Sequence, residues 1–198
     1  MTERVVAVLV RPTGIDPELA AAMLEDVVDL VADTPQVAGA LAVRPGAPPA
    51  AAELAWPGTP VVEVAGVDAA AALVAVAGLA TAAVAVVVAD APDLPTLLLG
   101  KFFSALAGPP RRTVAVCPAA AGGLVAVAVS LPGPPGWLED SRIGFDDVEA
   151  LSRLREVAPR GELALCPGWH RIRSAADVAS LDPALEGWDA TRALLASG

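Results

Sequence analysis

The sequence is short of the side chains on which several kinds of active site depend. Its 198 residues include one histidine, His170, and neither tyrosine nor asparagine. A multi-histidine zinc site is therefore not indicated, and a Ser-His-Asp triad is not supported either, because the GxSxG motif is also missing. His170 follows Trp169 in a loop-like segment, so we expect it to have a structural or surface role.

Cysteine is also scarce. The two cysteines, Cys117 and Cys166, each precede a proline at the end of an apolar run. A disulfide scaffold would need more cysteines in a shorter chain, so we expect two buried, reduced thiols in a cytoplasmic protein. The first ten residues carry Glu3 and Arg4 and lack the apolar core of a secretory signal.

Basic residues are few, with 13 Lys and Arg against 23 Asp and Glu and a formal net charge of -10. Nucleic acid is not an expected partner, because its phosphates require a clustered basic face. The phosphate-binding motifs GxGxxG and GxxxxGK[ST] are missing as well, so neither dinucleotide nor P-loop chemistry is indicated. Aromatic residues make up 4% of a chain that is 55% hydrophobic, which favours small-residue packing of helices on a sheet.

One uncharged apolar run, residues 69–89, is about as long as a membrane span. It is rich in alanine, and its middle, residues 77–81, has the composition of a turn between a helix and a strand. The run therefore predicts a helix followed by a strand, and we expect no membrane partner.

Strand and helix signals alternate along the chain, which predicts a three-layer α/β/α architecture with a mainly parallel mixed sheet. No shift in composition marks a boundary, so residues 1–198 are expected to form a single domain. Apolar Ala, Val and Leu surfaces leave a homodimer open. The predicted strands are 4–10, 39–43, 60–65, 84–88, 113–117, 124–129 and 162–166, and the predicted helices are 16–31, 68–79, 95–106, 146–157 and 182–196.

Three further local expectations follow from the sequence. The acids of the first helix fall mainly between its apolar positions, which predicts a solvated acidic face composed of Glu25, Asp26, Asp29 and Asp33. Residues 44–60 form a Pro/Ala/Gly-rich loop in which Trp56 is the only large apolar anchor. Ser174 and Asp177 have the spacing of a capping box.

Asp90 directly follows the central valine-rich strand. Ligands of open α/β sheets bind outside the carboxyl ends of the strands, and hard cations such as Mg²⁺ or Mn²⁺ take oxygen ligands. Asp90 is therefore a candidate metal ligand. Asp93, three residues later at the start of a helix, is as consistent with a helix cap as with a metal ligand.

The segment Ala89-Asp90-Ala91-Pro92-Asp93-Leu94-Pro95 resembles the [GA]-D-x-P-x-L-P segment of the nucleotide-diphospho-sugar transferase (GT-A) fold. The resemblance is to bacterial glycosyltransferase-like families related to phospholactate and molybdenum-cofactor guanylyltransferases, and it extends from the first strand to the Ser174–Asp177 cap. It implies transfer from a nucleotide or nucleotide-sugar donor, with Asp90 as the metal-binding acid. Arg11 and Gly14 would lie near the donor phosphates, and Gly122 and Gly123 near the acceptor.

The sequence departs from this family pattern at three places. The Gly-rich loop with Lys, Thr and Arg is reduced to residues 13–16. The Asp-Gly-Gly-Tyr loop corresponds to residues 121–124, which keep the two glycines but lack the acid and the aromatic residue. The late Asp-Val-Asp-Thr-Pro-Glu-Asp-Leu segment corresponds to residues 171–178, which places Arg171 and Arg173 where the family has metal-side acids. A guanidinium there removes a metal ligand and repels a divalent cation.

Several functions stay open at this point. The arginines of the late segment could pair with Asp90 in place of a metal, hold a phosphate or carboxylate directly, or lie on a surface loop. The chain is accordingly expected to be a transferase with a degraded donor site, with a catalytically inactive binding or scaffold relative as the alternative. A metal-free binder of small anions that uses Arg171 and Arg173 is a third reading.

Overall fold

A computed structural model describes residues 2–108 and 112–197, without the side chains of residues 49 and 50. Seven strands form one mixed sheet in the order β3-β2-β1-β4-β6-β5-β7. Strand β6 is antiparallel to its neighbours β4 and β5, and the other pairings of the sheet are parallel. The strands are β1 Thr2–Val10, β2 Ala38–Val43, β3 Val61–Glu63, β4 Ala80–Val88, β5 Val114–Pro118, β6 Leu124–Ser130 and β7 Leu163–Leu165.

Helices flank this sheet, which confirms the predicted α/β class and mainly parallel sheet. They are α1 Pro17–Ala32, α2 Ala69–Ala77, α3 Thr96–Ala107, α4 Gly136–Ser141, α5 Ala150–Val157 and α6 Asp189–Ser197, with 3₁₀ helices at Pro49–Leu54 and Ala175–Ser180. Helix α4 was not predicted, because the proline-rich stretch before it has the composition of a loop. The predicted capping box of Ser174 and Asp177 is present at the second 3₁₀ helix.

Helices α1 and α2 both begin at an aspartate that caps the first turn. The Asp16 carboxylate accepts hydrogen bonds from the amides of Glu18 and Leu19, and Pro17 occupies the first turn of α1. This is the arrangement of a side-chain N-cap followed by proline. At α2, Asp68 accepts from the Ala71 amide in the same way.

The apolar run at residues 69–89 forms α2 and the buried strand β4. Most of its alanines and valines pack in the core of the sheet, where the small side chains allow the helices to approach closely. Within the described residues, none of the helices combines the length and the apolar character needed to cross a bilayer.

The order of the strands creates a topological switch point between β1 and β4. From β1 the chain adds β2 and β3 on one side, and it then returns through α2 to add β4 on the other side. Ligand crevices of open α/β sheets lie at such points, outside the carboxyl ends of the strands. The residues that flank this crevice are Arg11, directly after β1, and Asp90, shortly after β4.

The expected solvated acidic face of α1 is wrong for Asp26. Its side chain is buried, with 3% of the residue exposed, and its two oxygens accept hydrogen bonds from the Ala190 and Thr191 amides at 2.9 and 2.8 Å. Asp26 therefore caps the first turn of α6, where unpaired helical N–H groups and the helix dipole favour an anion. Burial raises the pKa of Asp26, and hydrogen bonds from Thr191 and Ala190 oppose this rise.

Trp56 is also placed differently from the prediction. It does not anchor the 44–60 loop in the core, because 58% of the residue is exposed. Its indole Nε1 donates to the Asp29 carboxylate of α1 at 2.9 Å. The tryptophan thus attaches the loop to the polar face of α1 through a surface hydrogen bond.

We expect Asp26→Ala to lower the free energy of unfolding by about 1–3 kcal/mol, because two amides of α6, that of Thr191 buried and that of Ala190 partly buried, lose their acceptor. Denaturant unfolding measures this change. Glu25→Ala is the matched control, since Glu25 is an exposed acid on the same helix, and it should change stability by less than about 0.5 kcal/mol. Equal effects of the two substitutions would contradict the capping role.

Cys117 and Cys166 are both buried and unpaired with each other, as expected. Burial raises the pKa of the Cys117 thiol to about 12, so at pH 8 it carries roughly a thousandfold less thiolate than an exposed cysteine. Native protein at pH 8 should therefore not react with a thiol reagent, and both cysteines should react once the chain is denatured. Rapid labelling of the native protein would contradict the buried positions.

Candidate functional site

Asp90 and Arg171 form a two-point ion pair at the crevice between β1 and β4. The Arg171 Nε donates to Asp90 Oδ1 at 2.8 Å, and Nη2 donates to Oδ2 at 2.7 Å. This parallel geometry is the strongest way in which a guanidinium binds a carboxylate. Of the sequence alternatives, the pairing of a late arginine with Asp90 is the one found in the structure.

Arg11 completes the cluster from the opposite side. Its Nη2 donates to Asp90 Oδ2 at 2.7 Å, and its Nη1 donates to Asp146 Oδ2 at 2.5 Å. Asp146 also accepts from Arg171 Nη2 at 3.0 Å. Two arginines and two aspartates thus form one closed cluster, called the ion-pair cluster below, whose formal charges cancel.

Arg171 is the buried centre of the ion-pair cluster. Its side chain is fully buried, and its Nη1 donates to the carbonyls of Leu124 and Phe145, so all five N–H groups have acceptors. The expectation of a surface arginine is wrong here, and no N–H of Arg171 is left for a small anion. Burial lowers the pKa of Arg171, but the hydrogen bonds and charge of Asp90, together with Asp146, outweigh it and raise the pKa above its usual value.

The backbone around Arg171 is fixed from both sides. The Ile172 amide donates to the carbonyl of Asp90 at 2.7 Å. The Ile172 side chain is buried in an apolar cluster with Leu19 and Met23 of α1. Side-chain packing and a backbone hydrogen bond therefore hold Arg171 directly against Asp90.

Arg173 occupies a different place from Arg171. Its Nη2 donates to the Gly122 carbonyl at 2.6 Å, and its amide donates to Asp177. The structure therefore separates the two late arginines, which the sequence treats alike. Arg171 joins Asp90, whereas Arg173 fastens the Gly122–Gly123 loop to the capping box.

The predicted loop glycines have structural reasons for their identity. Gly122 and Gly123 both have a φ of +88°, and a Cβ on Gly123 would come within 2.5 Å of the Phe145 carbonyl oxygen. Side chains at these positions would be strained and would collide with the 145–148 loop. Gly14 is different, because it is exposed and an added Cβ would meet no heavy atom within 4 Å.

Asp93 is engaged in a separate buried network. Its oxygens accept from Trp169 Nε1 at 3.0 Å and from the Asp182 amide at 3.1 Å, and they lie 2.8–2.9 Å from His170 Nε2. The Trp169 and His170 rings stack on each other beside it. Asp93 therefore joins the start of α3 to two distant loops, which agrees with the structural role expected for His170.

The residues at this site do not fit a divalent cation. Mg²⁺ and Mn²⁺ need carboxylate oxygens that are free to bind them, whereas both oxygens of Asp90 already accept N–H groups of Arg11 and Arg171. The Asp93 oxygens are likewise occupied. Within the part of the chain that the structure describes, no group of three or more His, Cys, Asp or Glu side chains could hold a metal ion.

A cavity of about 320 Å³ lies beside the ion-pair cluster. Its walls come from the end of β1, the first turns of α1 and the 3₁₀ helix at Pro49–Leu54. Arg11 and Asp90 are among the residues that line it. The lining consists of Leu9, Val10, Arg11, Thr13, Pro17, Ala20, Ala21, Leu24, Pro48, Ala51, Glu53, Leu54, Ala89 and Asp90.

Sequence reasoning missed Asp146 as a member of the site. The sequence indicates Asp146 only as a possible start of a helix, and the structure places it before α5 with 48% of its side chain exposed. No local spacing connects Asp146 with Arg11, which is 135 positions away in the chain. Its only sequence signal is that it immediately follows an apolar segment that ends at Phe145.

Breaking the ion pair from one side should be strongly destabilising. We expect Arg171→Met to lower the free energy of unfolding by about 3–5 kcal/mol, because it leaves the Asp90 carboxylate buried with one cation fewer. The double variant Asp90→Leu/Arg171→Met should recover most of this loss, since apolar replacements of a buried pair are often tolerated. Denaturant unfolding of the variants measures both effects.

Arg173→Met is the matched control, because it removes only the hydrogen bond to the Gly122 carbonyl. It should cost about 0.5–1.5 kcal/mol. The role given to the ion pair would be contradicted if the double variant were as unstable as Arg171→Met. It would also be contradicted if Arg171→Met lost no more stability than Arg173→Met.

Comparison with known proteins identifies the fold. Neither a protein-family model nor a curated protein sequence matches the chain. A structure of the nucleotide-diphospho-sugar transferase type from Desulfovibrio desulfuricans G20 is similar to it, with a TM-score of 0.68, 15% identity, and coverage of 99% of this chain and 96% of that one.

Two further solved structures are similar over nearly the whole chain. CMP:2-keto-3-deoxy-manno-octonic acid synthetase complexed with CTP has a TM-score of 0.61 and 12% identity, with 99% of each chain covered. Glucosyl-3-phosphoglycerate synthase from Mycobacterium tuberculosis in complex with Mg²⁺ and UDP has a TM-score of 0.59 and 12% identity, with 98% of this chain and 78% of that one covered. The chain therefore has the nucleotide-diphospho-sugar transferase fold.

Proposed function

We propose that this protein is a catalytically inactive, metal-independent binding protein built on the nucleotide-diphospho-sugar transferase fold. One observation carries the proposal. The acid that the resemblance implies as the metal ligand, Asp90, accepts three N–H groups from Arg11 and Arg171. A divalent cation could bind there only by displacing two guanidinium groups that also repel it.

The other departures from the family pattern support the same conclusion. The segment expected to carry metal-side acids carries Arg171 and Arg173, and the loop expected to hold donor phosphates is reduced to residues 13–16. Group transfer from a nucleotide needs both charge neutralisation and positioning of the phosphates. At the matching positions this chain has a shortened loop and arginines in place of acids, and the guanidiniums of Arg171 and Arg173 are already bound to protein oxygens.

Transfer from a nucleotide or nucleotide-sugar donor is the second candidate, and the position of the cavity favours it. Arg11 and Asp90 flank the topological switch point, and a cavity of about 320 Å³ opens beside them. Ligands of this class of sheet bind at such points. The glucosyl-3-phosphoglycerate synthase structure contains Mg²⁺ and UDP, so metal-dependent donor binding is the property to test.

Thermal unfolding with nucleoside triphosphates, UDP and nucleotide sugars, with and without Mn²⁺, separates the two functions. A donor with a Kd of about 10 µM, present at about 1 mM, would add about 2.7 kcal/mol to the native state. For a domain of this size that corresponds to a rise in Tm of roughly 5–10 °C. We expect each donor to change Tm by less than about 1 °C, with or without the metal.

Calorimetric titration of the wild-type protein with Mn²⁺ provides an independent measurement, because it does not depend on choosing the right donor. No saturable heat is expected. Stoichiometric Mn²⁺ binding, or a metal-dependent rise in Tm with any donor that Asp90→Ala abolishes, would reject the inactive, metal-independent function in favour of the transferase.

A further inference from the structure

The cavity beside the ion-pair cluster is predominantly apolar. Ten of its fourteen lining residues are Ala, Leu, Val or Pro, and the polar ones are Arg11, Thr13, Glu53 and Asp90. An engineered apolar cavity of about 150 Å³ is large enough to bind benzene. A volume of about 320 Å³ therefore accommodates a group about the size of two fused rings, which is near the lower limit of ligand pockets in proteins.

The N–H groups in the first turn of α1 are not available to bind a phosphate. Helix N-termini bind phosphate because their first N–H groups are unpaired. Here the Asp16 carboxylate accepts from the Glu18 and Leu19 amides at 2.9 and 3.1 Å, and Pro17 has no N–H. An internal carboxylate therefore occupies the position that an anionic ligand would take.

The two cations of the ion-pair cluster are compensated in the same way. Arg11 is bound to Asp90 and Asp146, and Arg171 to the same two acids, so the ion-pair cluster has no net charge. Glu53 adds a negative charge to the cavity wall. An anion entering the cavity would lose its hydration without gaining an unpaired cation among the lining residues, which is energetically costly.

We propose that this cavity binds an uncharged, mainly apolar small molecule about the size of two fused rings. Thr13 and Arg11 supply hydrogen-bond donors on a wall that is apolar apart from Glu53 and Asp90, which suits a ligand with one polar atom. The inference rests on the proposed function, because a site that held a metal and a nucleotide would have to receive anionic phosphates in the same crevice.

A matched pair of probes tests the charge preference. The compounds 2-naphthol and 2-naphthoate have the same ring system, but only the second is charged at pH 7. Calorimetric titration of the wild-type protein should show 2-naphthol binding at least about tenfold more tightly than 2-naphthoate, which corresponds to about 1.4 kcal/mol. Equal or tighter binding of 2-naphthoate, or binding of neither compound, would overturn the inference.

Substitutions on α1 test the location. Ala20→Leu and Ala21→Leu place bulk in the cavity and should each weaken 2-naphthol binding at least tenfold. Ala32→Leu makes the same change at an exposed position of the same helix outside the cavity, and it should leave the affinity unchanged. Circular dichroism checks that each variant is folded, and having two cavity variants keeps the test valid if one is not. Unchanged binding in both would overturn the assignment to this cavity.

The two proposals fail in different ways. Metal-dependent binding of a donor would reject the inactive function, whether or not 2-naphthol binds. If the protein binds no donor, no Mn²⁺ and no 2-naphthol, the inactive function stands and only the proposed class of apolar ligand is wrong.

Discussion

The two-point ion pair between Asp90 and Arg171 is the contact on which the rest of the candidate site depends. It joins the carboxyl end of the central strand to a loop 81 positions later, and Arg171 extends the connection to the Leu124 and Phe145 carbonyls. Because Arg171 is fully buried, its charge is tolerated only while the carboxylate and carbonyl oxygens around it are in place. The geometry of the crevice is therefore inseparable from this pair.

The same pair changes what the fold can do. In a sheet of this topology the crevice at the switch point is where ligands are expected, and here charged side chains of the protein itself fill part of it. The carboxylates of Asp16, Asp90 and Asp146 satisfy the N–H groups and guanidiniums that would otherwise attract an anion. What stays accessible is a mainly apolar cavity, and this is the basis of the function proposed above, since a shared fold does not by itself imply a shared chemistry.

The sequence allowed much of the fold to be predicted, because strands, caps and turns depend on neighbouring residues. The valine-rich run predicted β4, and Asp16, Asp68 and Ser174 predicted the starts of three helical segments. The same reasoning placed Asp26 on a solvated face, because helical periodicity describes the helix but not what packs against it. The docking of α6 onto α1 changes that acid into a buried cap.

For the site, the residue types and the position of Asp90 after a buried strand were determined by the sequence alone. Tertiary structure decided which arginines reach Asp90 and that Asp146 joins them. It also decided that Asp93 belongs to a different network. The reason is physical: a hydrogen bond between side chains 79 or 135 positions apart depends on how sheet and loops pack in three dimensions, and local propensity contains no information about it.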